Sequence, residues 1–264
     1  MIDITFDYRT DCDYPKQDPD KYSCRLKKDH CEMWSKPLPV SKYGELKPQP
    51  KKERLVAFIN GEHFDFGCDS ITNCYTNRDN TFELRKDKEI VDLINKYNDV
   101  DYTIASSIIF PLQRDDGVTK WTINQARGCL RRISDRIDLT LECIRIFYLD
   151  NYQKTPLQSC LIKYKRFFDW FGSFENYVKF FLLDDLVSKD YKTVIGFTDV
   201  LDFDHAMPIS SVEEYKEYIK RNISFIEKRT ERIEKELALR SQRRSIWRNT
   251  LLDIWWNVML ILQS

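Results

Sequence analysis

The chain has 264 residues, of which 42% are hydrophobic and 32% charged, a composition that excludes an intrinsically disordered protein. Lysine and arginine together number 42, as do aspartate and glutamate, so no net positive field drives the molecule onto nucleic acid or an anionic membrane. Only seven glycines are present, which leaves little material for glycine-rich phosphate-binding loops. Neither the P-loop motif nor the dinucleotide-binding motif occurs in the sequence.

The N-terminal segment alternates apolar patterns with polar breaks. Ile2, Ile4 and Phe6 alternate with polar residues and predict a strand with one buried face. Residues 19–35 predict a short helix, because apolar residues recur at helical spacing and two prolines follow. Residues 42–54 contain glycine, prolines and a basic run, and predict a surface loop.

A hairpin is the clearest local signal of the N-terminal half. Residues 55–60 and 63–66 are apolar runs joined through Asn60 and Gly61, a pair that tolerates the positive φ of tight hairpin turns. A helix over residues 86–97 and a strand over 102–111 are predicted to follow. We therefore expect a small mixed or antiparallel sheet in this half, packed by helices.

The second half is predicted to be mostly helical. The expected helices cover residues 134–149, 156–171, 174–188 and 211 onward, with one strand over 193–197. Aromatic residues between 167 and 181 recur every three or four positions, which favours a packed core over a base-stacking surface. The predicted fold class is α+β, with a globular domain over 1–210 and a helical extension over 211–264 that packs on the domain or on a partner.

The extension changes character along its length. Ser211 and Glu214 have the spacing of a reciprocal helix cap. Residues 222–240 carry dense mixed charge and predict a solvated helix. Residues 246–262 are apolar again, but the segment is too short and too polar for a membrane span, so we predict no transmembrane segment and an amphipathic helix instead.

The first residues lack the features of a secretory leader, so we expect a cytoplasmic protein with eight reduced cysteines. A structural zinc site normally shows paired ligands two to four residues apart, and no such Cys or His pair occurs. A loose set of Cys24, His30, Cys31, His63 and Cys68 is the only material for a metal, and we predict none. The sequence indicates no particular cofactor.

One candidate site lies between residues 122 and 145. A helix from Ile133 is apolar on most of its circumference, and its narrow polar strip carries Asp135 and Glu142, which suit general acid or base roles if they face a cleft. Asn124 and Arg127, just before it, suit ligand binding. The alternative is that the strip forms ion pairs that tie helices together, and the residues before it cap a turn.

A second polar stretch covers residues 6–39. Arg9 and Lys36 could hold a phosphate or carboxylate group. His30 is the only histidine in either stretch and is the third predicted acid or base, with Asp135 and Glu142. The alternative for His30 is a packed histidine in a helix.

Several unusual strings occur together in this chain. They are FDYRTDCDYPKQDPDKYS, MWSKPLP, TINQARG, DRIDLTLECIR, PLQSCLIKYKRFFDWFGSFENYVKFFLLDDLV and EYKEYI. With them the chain resembles a family of uncharacterised bacterial proteins, a domain of unknown function, over about residues 6–232. The resemblance implies no activity, cofactor or catalytic residue.

Two functional hypotheses of different classes remain open. In the first, the chain binds a small anionic, nucleotide-like ligand in a cleft between the two polar stretches, with hydrolase or transferase chemistry as an option. In the second, it is a non-enzymatic interaction or oligomerisation module, and residues 241–264 dock a protein partner or a second copy. A membrane-surface role for that segment is a third option.

Overall fold

The computed structural model describes residues 2–12, 17–52, 54–74, 84–112, 135–149, 155–204 and 209–262, with 244–262 as helical backbone. The strands within these ranges are β1 (Lys36–Pro37), β2 (Glu45–Leu46), β3 (Gln49–Lys51), β4 (Arg54–Ile59), β5 (Glu62–Ser70) and β6 (Ser107–Pro111). The helices are α1 (Pro19–Tyr22), α2 (Cys24–Trp34), α3 (Lys88–Val100), α4 (Ile137–Tyr148), α5 (Gln158–Lys163), α6 (Lys165–Asp169), α7 (Phe174–Phe181) and α8 (Val212–Leu262). This confirms the predicted α+β class, with antiparallel sheets in the N-terminal half and a long C-terminal helix.

The main sheet has four antiparallel strands in the order β3-β4-β5-β6. The predicted hairpin is its centre: Ile59 pairs with Glu62, and Asn60 (φ 51°) and Gly61 (φ 79°) form the turn with the positive φ values that its geometry requires. β2, β3 and the first residue of β4 lie inside the segment predicted to be a loop, so that prediction was wrong for these residues. β3 is the edge strand of the main sheet. Pro50 lacks a backbone donor and the strand is exposed, which is tolerated only at a sheet edge and makes the sequence look like a loop.

The strand predicted for Ile2 to Phe6 is wrong, because these residues form a turn. The Asp3 carboxylate accepts hydrogen bonds from the Thr5 backbone N–H at 3.1 Å and the Thr5 hydroxyl at 2.8 Å. Such local side-chain bonds compete with extended structure. Asp7 then caps a short 3-10 helix, Tyr8–Asp11, by accepting from the Arg9 N–H.

Several predicted helices are shorter than their apolar patterns. The one predicted over 19–35 is divided at Ser23, whose hydroxyl caps α2 by accepting from Leu26 N–H at 2.9 Å. α7 ends at Phe181, because the next residue, Leu182, takes a left-handed conformation (φ 56°). The strand predicted over 193–197 is reduced to one antiparallel bridge between Val187 and Val194. The aromatic residues of α6 and α7 are buried core, as predicted, with Phe167, Phe171 and Phe181 stacked edge to face or tilted at centroid distances of 5.2–6.4 Å.

Helix α8 is both the longest element and part of the core. The Ser211 hydroxyl accepts from Glu214 N–H at 3.2 Å, so half of the predicted reciprocal cap forms, but the Glu214 carboxylate binds Ser210 N–H at 2.7 Å instead. Apolar residues from Tyr215 to Ile233 belong to the same buried cluster as the sheet. This packing does not test the predicted boundary at residue 210, because the extension was expected to pack on the domain or a partner.

Arg229 corrects the prediction that the charged stretch of α8 is solvated throughout, because it is fully buried. Its guanidinium donates to Ala105 O at 2.6 Å, Ser107 O at 2.9 Å and Phe181 O at 3.1 Å. Phe181 is the last residue of α7, so Arg229 also places a positive charge at the negative end of that helix dipole. One side chain therefore ties α8 to the start of β6 and to the end of α7.

A second set of buried hydrogen bonds continues from Ser107 into α2. The Trp34 indole N–H donates to His30 Nδ1 at 2.9 Å, and His30 Nε2 lies 2.9 Å from Ser107 Oγ. Because indole can only donate, Nδ1 must accept, and the neutral ring donates through Nε2. Burial and, to a smaller extent, the charge of Arg229 lower the pKa of His30 to about 3. The imidazole is therefore a neutral structural bridge at physiological pH.

We predict that Arg229→Met destabilises the protein by about 2–4 kcal/mol, because it leaves buried carbonyl groups without donors. The matched control is Lys228→Met, the same loss of charge at the neighbouring exposed position. Urea unfolding of both variants measures the difference. Equal stability of the two variants, within about 0.5 kcal/mol, would contradict the role of Arg229.

Candidate functional sites

Arg9, a predicted ligand contact, is already occupied by the protein itself. Its Nε and Nη2 atoms bind the Asp7 carboxylate at 2.9 and 2.8 Å, and Nη2 also donates to Asn98 O at 3.0 Å. The guanidinium lies 4.9 Å from the centroid of the Tyr102 ring. The charge of Arg9 is therefore compensated by Asp7, and its Nη2 group is bonded to the end of α3.

Lys36, the second predicted contact, lies in a different environment. Its Nζ donates to Phe180 O at 2.7 Å and lies 4.3 Å from the centroid of the Phe180 ring. Burial lowers the pKa of Lys36 to about 8, against the opposing effect of Glu236. Lys36 thus contacts α7 and Arg9 contacts the end of α3, so the structure does not bring them together on one ligand.

Asp135 is the predicted residue that does lie near the N-terminal polar stretch. It has a left-handed backbone (φ 53°), and its charge raises the pKa values of both Asp20 and Asp101. For Asp20 the larger causes are burial and the neighbouring Asp18, and the pKa reaches about 7 although Ser70 donates two hydrogen bonds to the carboxylate. Burial is the main cause for Asp101, whose pKa is about 6 although Arg9 lowers it. We call Asp18, Asp20, Asp101 and Asp135 the acidic cluster.

The other predicted acidic group, Glu142, is held in an ion pair. Arg145 binds it through two hydrogen bonds of 2.7 and 2.6 Å on the same helix. Asp138, one turn earlier, is fully buried and binds Arg136 at 2.8 and 2.7 Å while accepting from Phe197 N–H at 2.8 Å. Asp138 and Glu142 therefore form ion pairs with arginines two or three residues away along the chain, and these pairs do not join separate helices.

Two of the predicted ligand contacts, Asn124 and Arg127, lie outside the described residues. The carboxylates of the acidic cluster would repel an anionic ligand. The nearby positive charge of Arg9 is compensated by Asp7. The hypothesis of an anionic ligand, and the acid or base roles of His30, Asp135 and Glu142, stay predictions. Within the described ranges no group of three or more His, Cys, Asp or Glu side chains has the geometry of a metal site.

A second candidate site lies where α8 leaves the domain. Arg240 donates to Glu32 O at 3.2 Å and Met33 O at 2.8 Å, in the last turn of α2, and its side chain also binds Glu236. Beside it is an open groove of about 920 Å³. We call it the C-terminal groove; its apolar lining is Ile2, Ile4, Leu237 and Ala238, and its acidic lining is Asp3, Glu32 and Glu234.

Sequence reasoning missed this groove for a specific reason. Ile2 and Ile4 were assigned to a strand, whereas the turn at Asp3 brings them against α8. Leu237 lies in a stretch that was predicted to be solvated. The helical spacing of Ile226, Ile233 and Leu237 was a signal that the buried face continues this far.

Helix α8 continues through residues 241–262 beyond Arg240, a length of about 33 Å at 1.5 Å per residue. Among the helices that the structure describes, none is long and apolar enough to cross a membrane. We call residues 241–262 the C-terminal segment; it is the last part of α8, and its sequence is rich in apolar residues from Ile246 onward.

The fold and these sites define an α+β protein with a four-stranded antiparallel sheet, an aromatic helical core and a long C-terminal helix. A family model matches residues 2–233, and the chain belongs to this family, DUF6994, a family of unknown function. No curated protein and no solved structure matches the chain. The family match ends before Leu237, so the C-terminal segment lies outside it.

We predict that Asp20→Asn changes the pH dependence of stability. Because the folded-state pKa of Asp20, about 7, lies above the ordinary value of 3.8, the folded protein binds more protons than the unfolded chain between these values. The contribution of Asp20 to stability therefore falls as the pH rises through that window. Asparagine can still accept from Ser70 N–H but cannot titrate.

Denaturant unfolding between pH 4 and 8 measures this effect. The free energy of unfolding of Asp20→Asn should rise relative to the wild type up to about pH 7 and then remain level. Asp92→Asn, at an exposed position of α3, controls for the change in net charge. A difference between Asp20→Asn and wild type that does not vary with pH would contradict the raised pKa of this carboxyl.

Proposed function

We propose that this chain acts as a protein-association module whose contact element is the C-terminal segment, residues 241–262. The observation that carries the proposal is that α8 continues as helix through residues 241–262, and that residues 246–262 of this helix are rich in tryptophan, leucine and isoleucine. A helix of this length needs tertiary or intermolecular packing to be stable in water, because isolated helices are marginal.

The sequence of the segment supports burial of its apolar face against another molecule. Between Ile246 and Leu262 it contains Trp247, Trp255 and Trp256 together with several leucines and isoleucines. Tryptophan is enriched at the centres of protein interfaces, where its large apolar surface is buried. A helix that lays one apolar face on a partner groove is a common mode of recognition.

The charges of the segment indicate the chemistry of the surface that would receive it. Arg243, Arg244 and Arg248 precede its first acidic residue, Asp253. A complementary partner surface is therefore apolar with acidic residues at one end. The hypothesis of a small anionic ligand has less support, because the described charges of the acidic cluster disfavour an anion.

A comparison of the full chain with a chain ending at Arg240 tests the proposal. Both should have similar melting temperatures, because the described contacts of the core lie before residue 241. We expect sedimentation velocity to show association of the full chain, with itself or with a protein captured from its source, and loss of that association in the shorter chain. Flotation with liposomes tests the alternative of a membrane surface.

An unchanged solution mass and unchanged protein capture after the deletion would contradict the proposed function. Binding to liposomes that depends on residues 241–264, without any protein association, would also overturn it and favour a membrane-surface role. A full chain with Trp255→Ser and Trp256→Ser is a second variant of native length. It should lose association as the shorter chain does.

A further inference from the structure

We infer that the C-terminal groove of one copy receives the C-terminal segment of a second copy, so that the chain forms a dimer. This inference rests on the proposed function and names its partner. The groove lies directly beside the start of the segment, because Leu237 and Ala238 belong to the same helix.

The groove has the size and the composition of a binding cleft. Its volume of about 920 Å³ falls within the range of about 300–1,000 Å³ in which most ligand clefts lie. Ile2 and Leu237 contribute apolar surface that already packs on the core, and Ala238 leaves space above the helix. Large apolar side chains can therefore be buried there.

The segment of the same chain cannot fill the groove. Residues 246–262 continue the helix that forms one wall, and the first of them lies nine residues, about 13 Å along the axis, beyond Leu237. To return to the groove the chain would have to break the helix. A C-terminal segment that occupies the groove therefore comes from another molecule.

Charge complementarity identifies that molecule as a second copy. Asp3, Glu32 and Glu234 line the groove, and Asp3 also lies 3.7 Å from Arg25. Arg240, the basic residue among the described lining residues, is bound to Glu236 and to the end of α2. The segment supplies three arginines, Arg243, Arg244 and Arg248. An apolar groove with acidic residues therefore matches an apolar segment with basic residues.

Symmetry makes the arrangement complete. Groove and segment are neighbours on α8, so two copies related by a two-fold axis with antiparallel α8 helices each place a segment on the groove of the other. Such an interface is closed, because both complementary surfaces of both copies are used. It produces a dimer and not a filament.

Two substitutions in the groove, each with a matched control on the same helix, test the inference in the full-length protein. Ala238→Arg fills the groove and adds a positive charge, and Glu234→Arg reverses a charge that faces the arginines. The controls are Leu239→Arg and Glu231→Arg, at exposed positions of α8 that do not line the groove. All four positions are exposed, so the fold should hold, and if Ala238→Arg does not fold, Glu234→Arg decides alone.

We expect the wild type to dimerise reversibly in sedimentation velocity experiments. The groove variants should raise the dimer dissociation constant at least about tenfold, and the controls should change it less than about threefold. A wild type that is monomeric at all concentrations would overturn the second copy as the occupant, while association with another protein would still support the proposed function.

A dimer that is lost on deletion of residues 241–264 but unaffected by both groove variants would overturn the groove and leave the proposed function standing. A dimer that survives the deletion would overturn both. The inference is supported if the groove variants weaken the dimer, the control variants do not, and deletion of residues 241–264 abolishes the dimer.

Discussion

Arg229 carries its charge into the interior, and every hydrogen bond described for its guanidinium goes to a backbone carbonyl oxygen. Burial lowers the pKa of this arginine to about 9, so it still carries its charge at neutral pH. Removing a charge from water costs several kcal/mol, which only well-placed acceptors can offset. The planar fork of arginine can donate to several carbonyls at once, and lysine cannot reproduce that geometry.

A second arginine of α8 repeats this arrangement at another helix end. Arg240 lies eleven residues after Arg229, close to three helical turns, so both lie on nearly the same face of α8. Arg229 donates to the last carbonyl of α7, and Arg240 donates to carbonyls in the last turn of α2. The two contacts fix the position of α8 on the domain. They also set where the C-terminal segment begins and, with it, where the C-terminal groove lies.

The parts of the fold that could be predicted are those encoded by local chemistry. Asn60 and Gly61 specify the hairpin because few residue pairs accept two positive φ values in sequence. The N-terminal strand could not be predicted, because the alternation of Ile2, Ile4 and Phe6 is equally compatible with a turn once Asp3 binds Thr5. The burial of Arg229 had a signal: it occupies a position of the helical repeat at which Ile226 and Ile233 are buried, and a charge there indicates buried acceptors.

The candidate sites depend on contacts between distant parts of the chain, which local patterns do not encode. The sequence placed Asp135 in a cleft with the N-terminal stretch, and the structure does bring its charge close to Asp20 and Asp101. It could not show that Arg9 is neutralised by Asp7, since that pairing depends on the 3-10 helix, Tyr8–Asp11, that follows the N-terminal turn. The apolar character of residues 246–262 was visible in the sequence, but the groove beside Leu237 exists only once the N-terminal turn packs on α8.

Helix α8 is a core element up to Leu237, and we propose that it is a contact element beyond Arg240. Hydrogen exchange along this helix, measured at low and at high protein concentration, tests that claim most directly. We predict that amides from Tyr215 to Ile233 exchange only with global unfolding at both concentrations, and that those of residues 246–262 become protected as the concentration rises. Early exchange of residues 215–233 would contradict the core role of α8. Exchange of residues 246–262 that is equally fast at every concentration would contradict their contact role.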